Sequence, residues 1–115
     1  MRTLTVLIVD DSDVARAVLA SRLVQGGAAV LQAASTADAL SLDASTISAA
    51  IVDVDLGAGD SGVSLASVLA SRNPEMRLAL FTGHAHADEP SGAARTFRKP
   101  EQIDSVVAWA LGDGV

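Results

Sequence analysis

Apolar residues occur along the chain in short, nearly continuous runs that are separated by amphipathic or polar segments. Residues 4–9 form the clearest run, which stops at Asp10 and Asp11. Weaker runs follow at residues 28–33, 49–53, 76–81 and 96–98. Runs of this length without polar alternation are typical of strands covered on both faces, as in a parallel sheet. The pattern therefore predicts five buried strands, the second weakened by its alanines.

Helical periodicity appears between these runs. Ser12 is a suitable N-cap for a first helix that ends near Gly26-Gly27 and has apolar positions at Ala15, Val18, Leu19 and Leu23. Arg22 falls within this stripe, so its charge must extend outward along its stem. Further helices are predicted near residues 37–43, 63–72 and 101–111. The alternation predicts an α/β fold with a parallel sheet, helices on both faces and right-handed crossovers.

Composition limits the classes of protein that the chain could represent. The 115 residues fit one domain, expected to span 1–115, and half of them are hydrophobic. A formal net charge of −6 argues against direct binding to a nucleic-acid backbone. Cysteine is absent, and no apolar run approaches the length of a membrane span. We therefore expect a soluble, cytoplasmic protein with no membrane partner.

Polar and ionisable residues follow four of the predicted strands, namely Asp10 with Asp11, Asp53, Thr82 and Lys99. In an open α/β sheet, ligands bind beyond the carboxyl ends of the strands. Three carboxylates in one crevice would repel each other, and oxygen ligands without histidine or cysteine suit Mg²⁺. A lysine and a threonine hydroxyl beside the metal would complete a site for a phosphoryl group.

These same residues carry a resemblance that covers nearly the whole chain. The motifs are Val9-Asp10-Asp11-Ser12, Ile51 to Leu56, Phe81-Thr82-Gly83 and Lys99-Pro100. In order and rough spacing they resemble the receiver domains of two-component response regulators. Each motif alone has little specificity, whereas four in order at strand ends form a specific signature. The resemblance implies a doubly wound, flavodoxin-like sheet of strand order 2-1-3-4-5.

The resemblance also implies a role for each matching residue. Asp53 would accept a phosphoryl group from a histidine kinase or a histidine phosphotransfer protein. Asp11 and Asp53, with Asp10 mainly through water and with the backbone carbonyl of Asp55, would hold Mg²⁺. Lys99 would neutralise charge on the acceptor group, and Thr82 would move toward the phosphoryl oxygen. The bond from Lys99 to proline is expected to be cis.

The chain departs from the family pattern at three places. Lys99 follows Thr82 by only 17 positions, several fewer than the family usually has. We therefore expect the helix that receivers place between their fourth and fifth strands to be short or absent. Thr96 occupies the position of the family's switching aromatic, and Phe97 should point to the opposite face of the strand. Gly57 replaces the usual proline, as in atypical single-domain receivers.

Three other features allow a structural and a functional interpretation. We interpret the glycines after the third strand as turn residues rather than a phosphate loop, namely Gly57, Gly59 and Gly62. His84 and His86 are expected in an exposed loop rather than at a metal, although they could make the site respond to pH. Trp109 lies off the apolar face of the last helix. It either packs on a neighbouring segment or anchors a downstream protein or a second copy.

Three functions compete for this pattern. The first is a phosphorylation-dependent signalling module rather than an enzyme, either free-standing or part of a longer regulator or hybrid kinase. The second is a phosphotransferase of the haloacid dehalogenase type, suggested by Asp53 and Asp55, although that family has this motif on its first strand. The third is a receiver-like scaffold that binds its partners without phosphate.

Overall fold

A computed structural model describes residues 4–57, 61–83 and 95–112. Five strands alternate with helices along these residues. The strands are β1 (Thr5–Val9), β2 (Ala29–Ala33), β3 (Ala49–Val52), β4 (Arg77–Thr82) and β5 (Arg95–Arg98). The described helices are α1 (Asp13–Gln25), α2 (Thr36–Leu40), α3 (Gly62–Arg72) and α4 (Ile103–Ala110), with a 3₁₀ turn at Ala44–Thr46.

All strand pairs are parallel, and the sheet order is β2-β1-β3-β4-β5. The predicted fold class and flavodoxin-like order are therefore confirmed. Val9 lies opposite Ala33 on one side and Val52 on the other, so β1, β2 and β3 end level. This register brings the residues that follow these strands to one edge of the sheet.

The two faces of the sheet bury separate cores, because side chains alternate along each strand. One core contains Leu7, Val52 and Leu80, which pack against α2 and α3. The other contains Ile8, Ile51 and Phe81, which pack against α1 and α4. Helices therefore cover both faces of the sheet, as the continuous apolar strands predicted. Among the described residues, no helix has both the length and the apolar character of a membrane span.

Two helices differ in length from the sequence prediction. The second was expected over residues 37–43 but ends at Leu40, because the Asp43 side chain accepts the Ser45 N–H at 3.0 Å and begins the 3₁₀ turn. The last was expected over residues 101–111 but begins at Ile103. Before it, the Gln102 side chain accepts the Arg98 N–H at 2.8 Å, which holds this segment in a turn.

The apolar stripe of α1 was partly misassigned. Leu19 and Leu23 are buried as predicted, but Val18 is 41% exposed and does not belong to the core. Arg22 extends outward, as expected, and pairs with Asp104 of α4. The stripe is narrower than predicted because the helix meets the sheet along one line of residues.

Trp109 packs within the protein, which confirms the first of the two interpretations of this residue. Its side chain is only 5% exposed, so it is not available as an anchor for another protein. Phe97 lies 6.0 Å away between ring centroids, and the Arg77 guanidinium lies 5.0 Å from the ring centroid. Arg77 also donates to the carbonyls of Trp109 and Ala110 at 2.6 and 2.8 Å, which fixes the end of α4.

Some predictions fall on residues 84–94, which lie outside the described part of the chain. They include the shortened helix before β5 and the exposed loop with His84 and His86. Gly59 is likewise outside the described residues.

Candidate functional site

Four strand ends meet at the carboxyl edge of the sheet. The ladder between neighbouring strands extends one residue beyond β1, β3 and β5. The Asp10 N–H donates to Ala33 at 3.1 Å, and the Asp53 N–H donates to Val9 at 2.8 Å. The Lys99 N–H donates to the carbonyl of Thr82, also at 2.8 Å. The sheet itself therefore holds the backbone of three predicted site residues.

Asp10, Asp11 and Asp53 form an acidic cluster at this edge. Each offers a carboxylate oxygen, and these oxygens lie within 4.8 Å of one another. Asp10 and Asp53 are buried, whereas Asp11 is exposed. Three carboxylates without a nitrogen or sulfur ligand form a donor set that suits a hard cation such as Mg²⁺. The residues present therefore fit the metal that the sequence predicted.

Lys99 supplies the positive charge of the site. Its Nζ lies 2.5 Å from Asp10 Oδ2 and 3.4 Å from Asp53 Oδ2. The same atom lies 5.6 Å from the centroid of the Phe81 ring. The ammonium group thus bridges two of the carboxylates and lies closer to Asp10 than to the predicted acceptor. The bond that joins Lys99 to Pro100 is cis, as expected.

Burial raises the pKa of the Asp53 carboxyl above its ordinary value. The charge of Lys99 opposes this rise, the charge of Asp10 adds to it, and the N–H of Asp55, 3.3 Å from Asp53 Oδ1, opposes it weakly. The rise shows that desolvation and repulsion together outweigh the attraction of the lysine. A cation bound between the carboxylates would relieve both.

Gly57 is a turn residue, as predicted. It has a φ of +70°, a conformation that residues with side chains rarely adopt. Its N–H donates to Asp55 Oδ1 at 3.1 Å, so the side chain of Asp55 is turned toward the loop. A β-carbon on Gly57 would lie 3.4 Å from Asp11 Oδ2, which places the loop beside the acidic cluster.

Gly62 has a different function from the turn residue that we expected. It is the first residue of α3, and a β-carbon there would lie 1.9 Å from the carbonyl oxygen of Asp53. Glycine is required because the helix approaches the backbone of the acceptor residue. A glycine at a helix start, close to a strand-end carboxylate, was the only signal for this contact in the sequence.

Thr82 is buried at the end of β4. It pairs with Arg98 of β5 in the sheet register. Thr96 lies two residues before Arg98 on the same strand and is exposed. Phe97 is buried on the opposite face, as predicted. The face of β5 opposite Phe97 therefore carries the exposed hydroxyl of Thr96.

Arg16 is the residue that the sequence interpretation missed. Its Nη1 donates to the backbone carbonyl of Asp10 at 2.5 Å, and its Nη2 bonds the Asp13 carboxylate. The available signal was its spacing, since Arg16 precedes Leu19 by three positions and Leu23 by seven. That spacing puts an arginine on the buried stripe of α1.

The family model for the response regulator receiver domain matches residues 6–108, nearly the whole chain. No curated protein matches this chain. A response regulator protein from Burkholderia pseudomallei, crystallised with a phosphorylated aspartic acid, a calcium ion and citrate, is 31% identical with a TM-score of 0.79. That similarity covers 91% of this chain but 65% of the other, so this chain spans just under two thirds of that protein's length.

Two solved structures of lower identity share the fold over nearly their full lengths. A receiver domain protein from Clostridium thermocellum is 23% identical with a TM-score of 0.84, covering 96% of this chain and 93% of that chain. TrrA from Thermotoga maritima, solved in complex with Mg²⁺ and BeF, is 24% identical with a TM-score of 0.80. Here the coverage is 90% of this chain and 93% of that one.

Proposed function

Because the chain belongs to the response regulator receiver domain family, we propose that Asp53 accepts a phosphoryl group from a histidine kinase or a histidine phosphotransfer protein. The observation that carries this assignment is the position of Asp53 within 4.8 Å of the carboxylates of Asp10 and Asp11 and 3.4 Å from the Lys99 ammonium. The acceptor carboxylate thus lies beside both a site for a divalent cation and a positive charge.

Four residues would hold Mg²⁺ in this proposal. They are Asp11 and Asp53 through carboxylate oxygens, Asp10 mainly through water, and Asp55 through its backbone carbonyl. Bound Mg²⁺ supplies positive charge against the phosphoryl oxygens and against the carboxylates that repel each other. The relatives from Burkholderia and Thermotoga support this assignment, since one holds a phosphorylated aspartic acid and the other Mg²⁺ with BeF.

In the proposed transfer, a carboxylate oxygen of Asp53 attacks the phosphorus of a phosphohistidine. The new O–P bond forms as the P–N bond breaks, and the electron pair of that bond stays with the imidazole nitrogen. Lys99 neutralises charge on the phosphoryl oxygens, which the 3.4 Å contact with Asp53 permits. The hydroxyl of Thr82 donates a hydrogen bond to one of these oxygens.

The proposed module passes on a signal rather than turning over an external substrate, and it acts in the cytoplasm. With Thr96 in place of an aromatic, the movement of Thr82 has a different neighbour from that in most receivers. A downstream protein or a second copy that contacts α4 would use its exposed residues, such as Asp104 and Ser105, because Trp109 is buried.

Intact mass after incubation with acetyl phosphate and Mg²⁺ tests the function. We expect the wild-type chain to gain one phosphoryl group and Asp53→Asn to gain none, because the acceptor oxygen is lost. Chelation of Mg²⁺ should abolish the gain in the wild type.

Asp55→Asn is the matched control, because it alters a neighbouring carboxylate whose proposed contribution is through the backbone. We expect this variant to keep the mass gain. Loss of the gain in both variants, with turnover of phosphate esters by the wild type, would instead indicate the haloacid dehalogenase chemistry. If the wild-type chain never gains mass, the phosphate-independent scaffold remains as its function.

A further inference from the structure

Arg16 is a largely covered cation beside the acidic cluster, and the transfer step described above does not use it. Its side chain is 14% exposed, whereas that of Arg22 on the same helix is 46% exposed. Arg16 occupies the end of the α1 stripe, next to the carboxyl edge of the sheet, where Leu19 and Leu23 continue the stripe into the core. Covering an arginine has a solvation cost that its contacts must offset.

The contacts of Arg16 form a fork. One nitrogen, Nη1, donates to the backbone carbonyl of Asp10 at 2.5 Å, and the other, Nη2, bonds the carboxylate of Asp13. A planar guanidinium can make both contacts at once, which a lysine ammonium on a flexible stem cannot do with the same geometry. The fork therefore ties the first turn of α1 to Asp10, the residue that follows β1.

Arg16 completes a set of contacts that fixes Asp10. The N–H of Asp10 donates to Ala33, and Oδ1 accepts the Ser12 N–H at 2.9 Å. Oδ2 pairs with Lys99. Only the backbone carbonyl remains, and Arg16 is the residue that donates to it. Every polar group of Asp10 thus has a partner.

The carbonyl of Asp10 matters because it belongs to the same planar peptide unit as the N–H of Asp11. Holding this carbonyl fixes the plane from which the exposed side chain of Asp11 departs. We propose that Arg16 is a positioning residue that orients Asp11 toward the magnesium site. This inference rests on the proposed function and explains how an exposed carboxylate is kept close to two buried ones.

Two effects of Arg16 on Mg²⁺ binding have opposite signs. Its charge repels a divalent cation, whereas its hydrogen bonds orient a ligand. The carboxylate of Asp13 compensates the charge, so orientation dominates. Loss of contacts that orient metal ligands commonly weakens metal binding about 10–100-fold. Removal of Arg16 should therefore weaken Mg²⁺ binding rather than strengthen it.

The test is a titration of the full chain with MgCl₂, followed through backbone amide signals in proton–nitrogen correlation spectra. For Arg16→Gln we expect the Mg²⁺ dissociation constant to rise roughly tenfold. The Asp11 amide signal of the metal-free variant should also broaden, since its peptide plane gains freedom. Arg16→Lys keeps the charge without the fork and should bind Mg²⁺ several-fold more weakly than the wild type.

Arg22→Gln is the matched control, because it removes the same charge from α1 and breaks an ion pair with Asp104 away from the site. Its dissociation constant should stay within about twofold of wild type. Unchanged or tighter Mg²⁺ binding in both Arg16 variants, with dispersed spectra that show them folded, would overturn the inference. A wild-type chain that neither binds Mg²⁺ nor gains a phosphoryl group would instead overturn the proposed function, and the inference with it.

Discussion

When no cation is bound, the environment of Asp53 disfavours the ionised form of its carboxyl. Burial raises the pKa of this carboxyl, and the charge of Asp10 raises it further, while Lys99 offsets only part of the rise. A carboxylate in this situation destabilises the folded state relative to the unfolded chain, where it is fully solvated. The acceptor residue therefore lowers the stability of the metal-free protein and favours uptake of a cation.

At the residue scale, we predict that Asp53→Asn stabilises the metal-free protein at pH 7 by roughly 0.5–2 kcal/mol, the range common for stabilising substitutions. Because the folded pKa lies above the ordinary value of 3.8, the folded state binds more protons between these two values. Stability of the wild type thus falls as pH rises through that interval. Urea denaturation in a chelating buffer should give Asp53→Asn a higher free energy of unfolding than the wild type at pH 7. This difference should shrink as the pH falls to about 3.8.

Asp38→Asn serves as the control for this prediction, since Asp38 is exposed on α2. It should give no gain at pH 7, because the helix N-terminus favours a negative charge there. An Asp53→Asn variant that is less stable than wild type at pH 7 would mean that the attraction of Lys99 outweighs desolvation.

The residues at the edge of the sheet could be predicted from sequence because each follows a recognisable strand. Asp10, Asp53 and Lys99 meet for this reason, as the sheet register determines where residues after a strand lie. Arg16 was missed because its contact depends on the direction of a long side chain. Its partner at the site is moreover the backbone carbonyl of Asp10, which leaves no trace in residue type.

At the scale of elements, the start of α3 determines the position of the acceptor backbone. We predict that Gly62→Ala destabilises the protein by roughly 1–3 kcal/mol, because a β-carbon would lie 1.9 Å from the Asp53 carbonyl oxygen. Relief of this clash requires that α3 and Asp53 move apart. Chemical denaturation measures the loss, and the rate of mass gain with acetyl phosphate should fall with it.

Gly83→Ala is the matched control, since Gly83 follows the buried end of β4 and a β-carbon there would meet no atom of the described chain within 4 Å. Its stability should stay within about 0.5 kcal/mol of wild type. Equal losses in the two variants would contradict the importance of the close approach at α3.

The last helix shows why helical periodicity alone misplaced Trp109. The predicted apolar face consisted of Ile103, Val106, Val107, Ala110 and Leu111 and left Trp109 outside it. Val106 and Ala110 are buried as predicted and Trp109 is buried with them, whereas the other three are only partly buried. Arg77 and Phe97 set the orientation, because they cover the tryptophan ring from β4 and β5. Such contacts join elements far apart in sequence and have no periodic signal.

At the scale of the whole molecule, the net charge of −6 adds to the local repulsion among the site carboxylates. Binding of Mg²⁺ to the folded state alone should therefore raise the melting temperature. At a concentration of about ten times the dissociation constant, linkage gives about 1.4 kcal/mol, or a rise of several degrees for a domain of this size. Differential scanning calorimetry in MgCl₂ and in NaCl of equal ionic strength measures the difference.

Asp11→Asn should remove most of this difference, because it deletes an exposed ligand without disturbing the core. Asp38→Asn, which removes an equal charge elsewhere, should retain it. Equal rises in NaCl and MgCl₂ for the wild type would show general screening of charge instead of a bound ion.

The overall architecture could be predicted because strand and helix alternate with short connections, and such alternation admits few folds. Strand order itself came from the family resemblance and is confirmed. Helix ends could not be predicted as well, since side chains such as Asp43 and Gln102 form turns that compete with the helix.

Burial of Trp109 has a practical consequence for the measurements of unfolding. The chain has one tryptophan and no tyrosine, so its ultraviolet fluorescence comes almost wholly from a single ring packed between β5, α4 and Arg77. Loss of the native core should expose this ring to water and shift its emission to longer wavelength. The protein thus carries an intrinsic optical probe of its own unfolding, and no dye or label is needed to compare its variants.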